Sequence, residues 1–390
     1  MGEKKGKKKV VIVLDNLRRG GIEIAALRFF ELLDSEEYEA TFLLRNLLHY
    51  DESMVKTLEK RGAKIIVKPE STNSYLKDYF FFKKLFKKEK YDIVHAHLLF
   101  YNGIIMCAAY KAGVGKRIAH SHATEENRVM GKLKKTAGDI YHAIMRAVIG
   151  KYATDIVGCS KKAGEYMCGK RLFGERGTVL PNYVNIDEYS FSGESRLLKR
   201  KEFGLADELL IGHTGSIYWI KNQTFLVELL AGLLKVCPNA RLMLVGEEAD
   251  GGKTRALAKK LNVADKVIFT GSRDDIPELL CAMDIFMFPS RFEALPIAPI
   301  EAQASGLPCI VSTGVTEEIK ATDSFVRLSL DVPSAQWIKK ILEFREMYPV
   351  PDEAAGRITK PAIPFYGKEI LEMAIAGLLQ GQNLLLTGPK

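Results

Sequence analysis

Ile285-Phe286-Met287-Phe288-Pro289-Ser290-Arg291-Phe292-Glu293-Ala294-Leu295-Pro296-Ile297-Ala298-Pro299-Ile300-Glu301-Ala302 is the stretch on which the fold depends. The four apolar residues Ile285–Phe288 read as a strand buried on both faces, and a helical pattern follows over 297–305. A polar loop between them carries Glu293. Glu301 stands eight positions later, about a turn and a half into the helix. A strand feeding a helix through a short loop is half of a βαβ unit and predicts a parallel α/β sheet. Spacing alone describes equally well one solvated loop glutamate and one glutamate on a helix face.

The alternation extends in both directions. Apolar runs at 209–214, 241–245, 267–270, 285–288 and 309–311 alternate with helical patterns at about 223–236, 253–261, 276–282 and 297–305. The first half has runs at 10–14, 41–44, 64–67, 92–97, 117–122, 155–158 and 178–180, separated by helical stretches such as 24–33, 54–60, 77–88 and 132–151. Between the two series, residues 182–207 are polar and irregular, which marks a boundary. The expected layout is a Rossmann-like domain at 1–185, a linker at 186–207, a second Rossmann-like domain at 208–348 and an atypical tail at 349–390. Two doubly wound α/β domains turn the C-terminal ends of their sheets toward a cleft, the expected ligand site.

A chain of 390 residues suits two domains rather than one core. With 47% hydrophobic and 27% charged residues it reads as globular, not disordered. No run approaches the ~20 apolar residues of a membrane span. The start, MGEKKGKKK, has the charge of a signal peptide without its apolar core or cleavage site. Cys107, Cys159, Cys168, Cys237, Cys281 and Cys309 are scattered, with no Cys-x-x-Cys pair, and read as reduced thiols of a cytoplasmic protein. The net charge of +9 suits nucleic acid, an anionic membrane surface or an anionic small ligand. No recognised nucleic-acid module accompanies it, so no nucleic-acid partner is expected.

Four segments at strand-to-helix turns carry candidate chemistry. After the run 10–14, Gly20 and Gly21 in Leu17-Arg18-Arg19-Gly20-Gly21-Ile22-Glu23 would let backbone approach an anion at a helix start, or form a plain tight turn. In His120-Ser121-His122-Ala123, a neutral imidazole at a strand end can hydrogen-bond a sugar hydroxyl. His122 is favoured, while His95 and His97 on another strand end compete for the role. In Gly215-Ser216-Ile217-Tyr218-Trp219-Ile220-Lys221-Asn222, a cation beside helix N–H groups makes a diphosphate clamp, or a solvated lysine opens a helix. The fourth segment is the Glu293/Glu301 pair, whose carboxylates accept strongly from sugar and ribose hydroxyls.

These residues in this order resemble the retaining GT-B glycosyltransferases of the large bacterial family with an E-x7-E signature, which includes capsule and exopolysaccharide enzymes. FEALPIAPIEAQASGLP carries the signature, and LDNLRRGGIE, KRIAHSHAT, VGCSKKAGEYM and VLPNYVNIDEY are similar to its other blocks, covering about 8–345. The resemblance implies an acceptor-side domain at 1–185 and a nucleotide-sugar donor domain at 208–348. It implies that Glu293 contacts the transferred sugar, Glu301 the donor ribose, and Lys221 the diphosphate. Ala294, Leu295 and Pro296 would line that diphosphate, Gly20 and Gly21 would form the glycine-rich loop, and His122 would lie near the reacting sugar. Glu247 and Arg273 fall where base-contacting loops lie. Two positions depart from the family. Ser216 stands where an arginine is common, so either Lys221 neutralises the diphosphate with help from Arg18 or Arg19, or activity is reduced. Ala294 replaces the usual glycine. The tail EILEMAIAGLLQGQNLLLTGPK resembles the opening of an AAA+ ATPase cut midway through its phosphate loop, so no ATPase activity is expected of it.

The expected activity is retaining transfer of a hexose or N-acetylhexosamine from a nucleotide diphosphate sugar, UDP ahead of GDP, to a glycan or polyprenyl-linked acceptor. No Asp-x-Asp motif is present, so no metal and no cofactor is expected, and the nucleotide sugar is substrate. Phe80-Phe81-Phe82-Lys83-Lys84-Leu85-Phe86-Lys87-Lys88 reads either as a helix lying on an anionic membrane at the inner face of the cell membrane or as a crossover helix with a solvated basic face. The alternatives are a non-hydrolysing sugar-nucleotide epimerase and a catalytically inactive nucleotide-sugar binding protein. A dehydrogenase is disfavoured because no G-x-G-x-x-G follows the first strand.

Overall fold

The computed structural model describes residues 6–18, 20–46, 50–69, 74–124, 132–182, 184–348 and 379. They form two compact units that divide between residues 183 and 184.

The first unit is built on seven parallel strands, β1 (Lys8–Leu14), β2 (Tyr38–Leu44), β3 (Lys64–Val67), β4 (Ile93–Ala96), β5 (Lys116–Ser121), β6 (Asp155–Gly158) and β7 (Gly177–Val179), in the order β3-β2-β1-β4-β5-β6-β7. Each of the seven apolar runs is a strand. Successive side chains of β1 serve two cores. Val11 and Val13 join Phe82 and Phe86 on one face of the sheet. Val10, Ile12 and Leu14 join Phe29 and Phe42 on the other. Helices cover both faces, which is why the strands are apolar throughout rather than alternating. The order reverses between β1 and β4, so the loops leaving these strands open the crevice where such sheets bind ligands.

The second unit has six parallel strands, β8 (Leu210–Thr214), β9 (Arg241–Val245), β10 (Val267–Gly271), β11 (Ile285–Phe288), β12 (Cys309–Ser312) and β13 (Phe325–Leu328), in the order β10-β9-β8-β11-β12-β13. Its reversal lies between β8 and β11, which pair at Ile285↔Ile211 and Phe286↔Gly212. Among the described residues no helix is long and apolar enough to cross a membrane.

The structure corrects the sequence reading at three places. Residues 186–207 are not an irregular linker: they contain the helix Gly193–Glu202, capped by Ser192, whose hydroxyl accepts from Ser195 N at 3.1 Å. Its arginines face inward. Arg196 pairs with Asp284 at 2.6 Å and donates to the carbonyls of Cys281, Ala282 and Met283. Arg200 is buried and donates to the carbonyls of Ala282 and Glu208. Polar composition here reflects capping of a neighbouring helix end, not exposure to water. Second, β13 adds a strand that periodicity does not reveal, because a four-residue edge strand containing an arginine has no continuous apolar run. Third, β5 ends at Ser121, so His122 lies just beyond the strand. The tail assigned to 349–390 lies outside the described residues except for Leu379, which joins the core of the first unit.

Candidate active site

In the second unit the loops after β8 and β11 meet because those strands are neighbours in the sheet, although 72 positions separate Lys221 from Glu293. The Lys221 ammonium lies 2.6 Å from Glu293 Oε1, both side chains 17% exposed, and 4.7 Å above the Phe288 ring. A cation and a carboxylate kept half-dry at strand ends attract more strongly than they would in open water. Tyr218 lies in the same loop. Burial, and then the Glu293 charge, push its phenol up to about 12, so it remains a hydrogen-bond donor.

The loops are held from beneath. His213 is fully buried, with Nδ1 2.9 Å from the Met287 carbonyl and Nε2 3.1 Å from Gln223 Nε2. Burial, and then the Lys221 charge, lower its pKa to about 3, although the bond to Met287 opposes the shift. The neutral ring therefore donates through Nδ1 and accepts at Nε2. Gln223 in turn donates to the Ser216 carbonyl at 2.9 Å and accepts from Tyr218 N at 3.2 Å. Arg291 ties the two loops together: its N–H reaches the Ile220 carbonyl at 2.8 Å and its guanidinium reaches Asn222 Oδ1 at 2.9 Å. Gly246 has φ +146°, and a Cβ there would collide with the Gly215 carbonyl oxygen. The ends of β8 and β9 approach each other this closely only with glycine.

The remaining donor-side candidates separate. Glu301, on the helix Ala298–Ala304, accepts from Tyr189 Oη at 2.6 Å. Ala294, Leu295 and Pro296 are buried, and Ala294 takes no left-handed backbone, so the alanine is accommodated without strain. Glu247 is exposed, and its carbonyl accepts from Ile217 N at 2.7 Å. Arg273 is engaged elsewhere, pairing with Asp275 at 2.6 Å and Glu202 at 2.8 Å. Sequence reading does not single out His213, Gln223 or Tyr189. The polar character of His213 inside the apolar run 209–214 is the one available signal.

In the first unit, β4 and β5 bring four histidines together. His95 Nε2 lies 3.1 Å from His120 Nδ1, and His97 Nδ1 lies 2.9 Å from His122 Nε2. Burial is the chief cause lowering their pKa values, to about 3 for His95 and about 4 for His122, and well below the usual range for His97 and His120. All four are neutral at pH 7. His97 and His120 line a recess with Ala25, Phe29, Leu180, Pro181 and Asn182. At the glycine loop, Gly20 caps the helix Gly21–Glu31 with an ordinary φ of −97°. The Glu23 carboxylate lies over it and would meet any Cβ placed there, whereas Gly21 faces open space. Burial raises the Glu23 pKa to about 7.

Two doubly wound parallel sheets in one chain are the architecture of the GT-B class of glycosyltransferases. Comparison with known proteins agrees. Residues 19–188 match the Glycosyltransferase Family 4 profile and residues 208–344 the Glycosyl transferases group 1 profile. The chain is 31% identical over 341 residues to the putative glycosyltransferase EpsF of Bacillus subtilis, covering 86% of this chain and 87% of EpsF. It is 26% identical over 300 residues to the Escherichia coli UDP-Gal:alpha-D-GlcNAc-diphosphoundecaprenol alpha-1,3-galactosyltransferase, covering 75% and 76%. Anabaena HepE, solved in complex with UDP-glucose, shares the fold at a TM-score of 0.77 and 18% identity, covering 96% of this chain and 99% of that one. The chain belongs to the group 1 GT-B glycosyltransferases.

Proposed function

We propose that this glycosyltransferase moves a hexose or N-acetylhexosamine, with retention and without a metal, from a UDP-sugar to a lipid-linked glycan in surface polysaccharide synthesis. The Lys221–Glu293 contact carries the reading. Lys221 neutralises the diphosphate as the glycosidic bond breaks, taking the part a divalent cation would play. Glu293, held beside it, accepts from hydroxyls of the transferred sugar, and Glu301, steadied by Tyr189, accepts from the ribose. The leaving phosphate takes the acceptor's proton on the face from which it departs, which retains the anomeric configuration. His122, neutral and anchored by His97, hydrogen-bonds the sugar. The base is read by the loops after β9 and β10; in that reading Glu247 is available, while Arg273 must first leave Asp275 and Glu202.

Support for UDP comes from HepE, solved with UDP-glucose, and from the Escherichia coli relative, whose name specifies UDP-Gal and a diphosphoundecaprenol acceptor. A membrane-bound acceptor fits the surface of the first unit. Phe82 and Phe86 of the helix Tyr75–Glu89 enter the core, while Tyr75, Leu76 and Phe80 are more than half exposed among Lys77, Lys84 and Lys87. Tyr75 stacks on Tyr141 of the helix Lys132–Tyr152, which adds exposed Ile140 and Ile144 to the same region. Such a basic, apolar face lies on anionic lipid, a peripheral contact that would hold a cytoplasmic enzyme at the inner face of the membrane.

The test is a chelator-treated assay of UDP- and GDP-sugars against polyprenyl-diphosphate sugars, with product anomers read by NMR. Retained product from a UDP-sugar in chelator is expected. Turnover of the UDP-sugar with no acceptor present would indicate the epimerase reading instead. Binding without turnover in every combination would indicate an inactive sensor.

A further inference from the structure

We infer that His95, His97 and His120 form a binding site for one divalent transition-metal ion of the zinc class, in the N-terminal unit and next to His122, the residue given to the sugar in the proposed function. One ring nitrogen from each of the three lies within 4.8 Å of the other two, and all three residues are buried. The His95 Nε2 to His120 Nδ1 distance of 3.1 Å is close to the edge of a zinc tetrahedron, which Zn–N bonds of about 2.0–2.1 Å set at about 3.3–3.4 Å. His97 supplies the third ligand through Nε2, since its Nδ1 is directed to His122 Nε2 at 2.9 Å. His97 Nε2 is buried and has no hydrogen-bond partner among the described residues. The Nδ1–H of His97 then donates to His122, the outer-shell contact that fixes the tautomer of a ligating histidine.

The donor set decides the ion. Three neutral imidazoles without a carboxylate suit zinc, copper, nickel or cobalt and reject magnesium and calcium, which need oxygen ligands. His97 and His120 also line the recess bounded by Asn182, Leu180 and Pro181, and a zinc ion with three protein ligands takes its fourth from water or a bound molecule. The pairing β4–β5 alone brings the residues together, by the register His95↔Ile118 and Ala96↔Ala119. Spacing in sequence shows two separate His-x-His tripeptides, 25 residues apart.

The test uses the full chain without a histidine tag, stripped with chelator, and titrated with Zn²⁺ in competition with a chromophoric chelator. One Zn²⁺ per chain and a raised melting temperature are expected. Co²⁺ should give the strong visible absorption of a low-coordinate nitrogen site. His95→Gln, His97→Gln and His120→Gln should each weaken Zn²⁺ by more than the roughly 10–100-fold that an outer-shell partner is worth, with circular dichroism checking the fold. Should a variant fail to fold, the Co²⁺ spectrum of the wild type decides. The site is refuted if wild-type protein takes up no stoichiometric Zn²⁺, if Co²⁺ stays spectrally octahedral, or if all three variants bind as the wild type does. These readouts are independent of transferase activity and stand or fall separately from the donor reading.

Discussion

Tyr189 Oη donates to Glu301 Oε1 at 2.6 Å, a bond between residues 112 positions apart in the chain. Tyr189 lies only a few residues into the second unit, ahead of the helix Gly193–Glu202, yet it orients a carboxylate on the helix after β11. The bond limits which directions the Glu301 oxygens can offer to a ligand. Tyr189→Phe removes it without removing the ring. A hydrogen bond to a charged group is worth about 1.5–3 kcal/mol. The expected result is a rise in KM for the nucleotide sugar of about tenfold or more with little change in kcat, checked by steady-state kinetics at saturating acceptor.

Lys221→Ala and Glu293→Gln act on the reacting end instead. Each should lower kcat by at least about tenfold, the worth of one charge-assisted hydrogen bond to the transition state. Circular dichroism and melting curves should show the fold intact. Near-normal turnover in both variants would remove the site from the mechanism.

Glu23 makes stability depend on pH. Its folded pKa is raised to about 7, above the unfolded value near 4.5, so the native state holds the extra proton between them. Its contribution is fully present below pH 4.5 and is lost as pH rises through 7. Glu23→Gln should remove this dependence and raise the melting temperature at pH 8 relative to wild type, with little difference at pH 4.5. Melting curves across that range measure it.

The buried histidines act in the opposite sense. His95, His122 and His213 have folded pKa values of about 3, 4 and 3, below the unfolded value of 6.5. The unfolded chain therefore takes up protons first, and stability falls as pH drops from 6.5 toward 4. His122→Asn should flatten that slope by about one proton, read from urea midpoints against pH.

Arg200→Ala tests the helix that stands where the sequence reads as a linker. Arg200 and Asp284 are both buried, and the guanidinium also closes the carbonyls of Ala282 and Glu208. Asp284 keeps Arg196 at 2.6 Å, so the loss is that of the buried carbonyls left without a donor, about 1–3 kcal/mol. Calorimetry should show the destabilisation; a solvated linker would show none.

Apolar patterning alone was enough to read the sheets and the order of the loops. Strands buried on both faces are continuous apolar runs, so all seven strands of the first unit and five of the six in the second were legible. Glycines, a lysine and paired glutamates at strand-to-helix turns marked the candidate site. The resemblance carried by FEALPIAPIEAQASGLP supplied the family. Other features depended on pairings between distant strands, which local pattern does not encode. Only tertiary structure brought β8 beside β11 and set Lys221 on Glu293, gave Arg273 to Asp275 and Glu202, and placed Tyr189 on Glu301. The same cause gathered two His-x-His tripeptides into one buried cluster. Hydrophobic periodicity fixes which residues are buried, whereas strand order decides which buried polar groups meet.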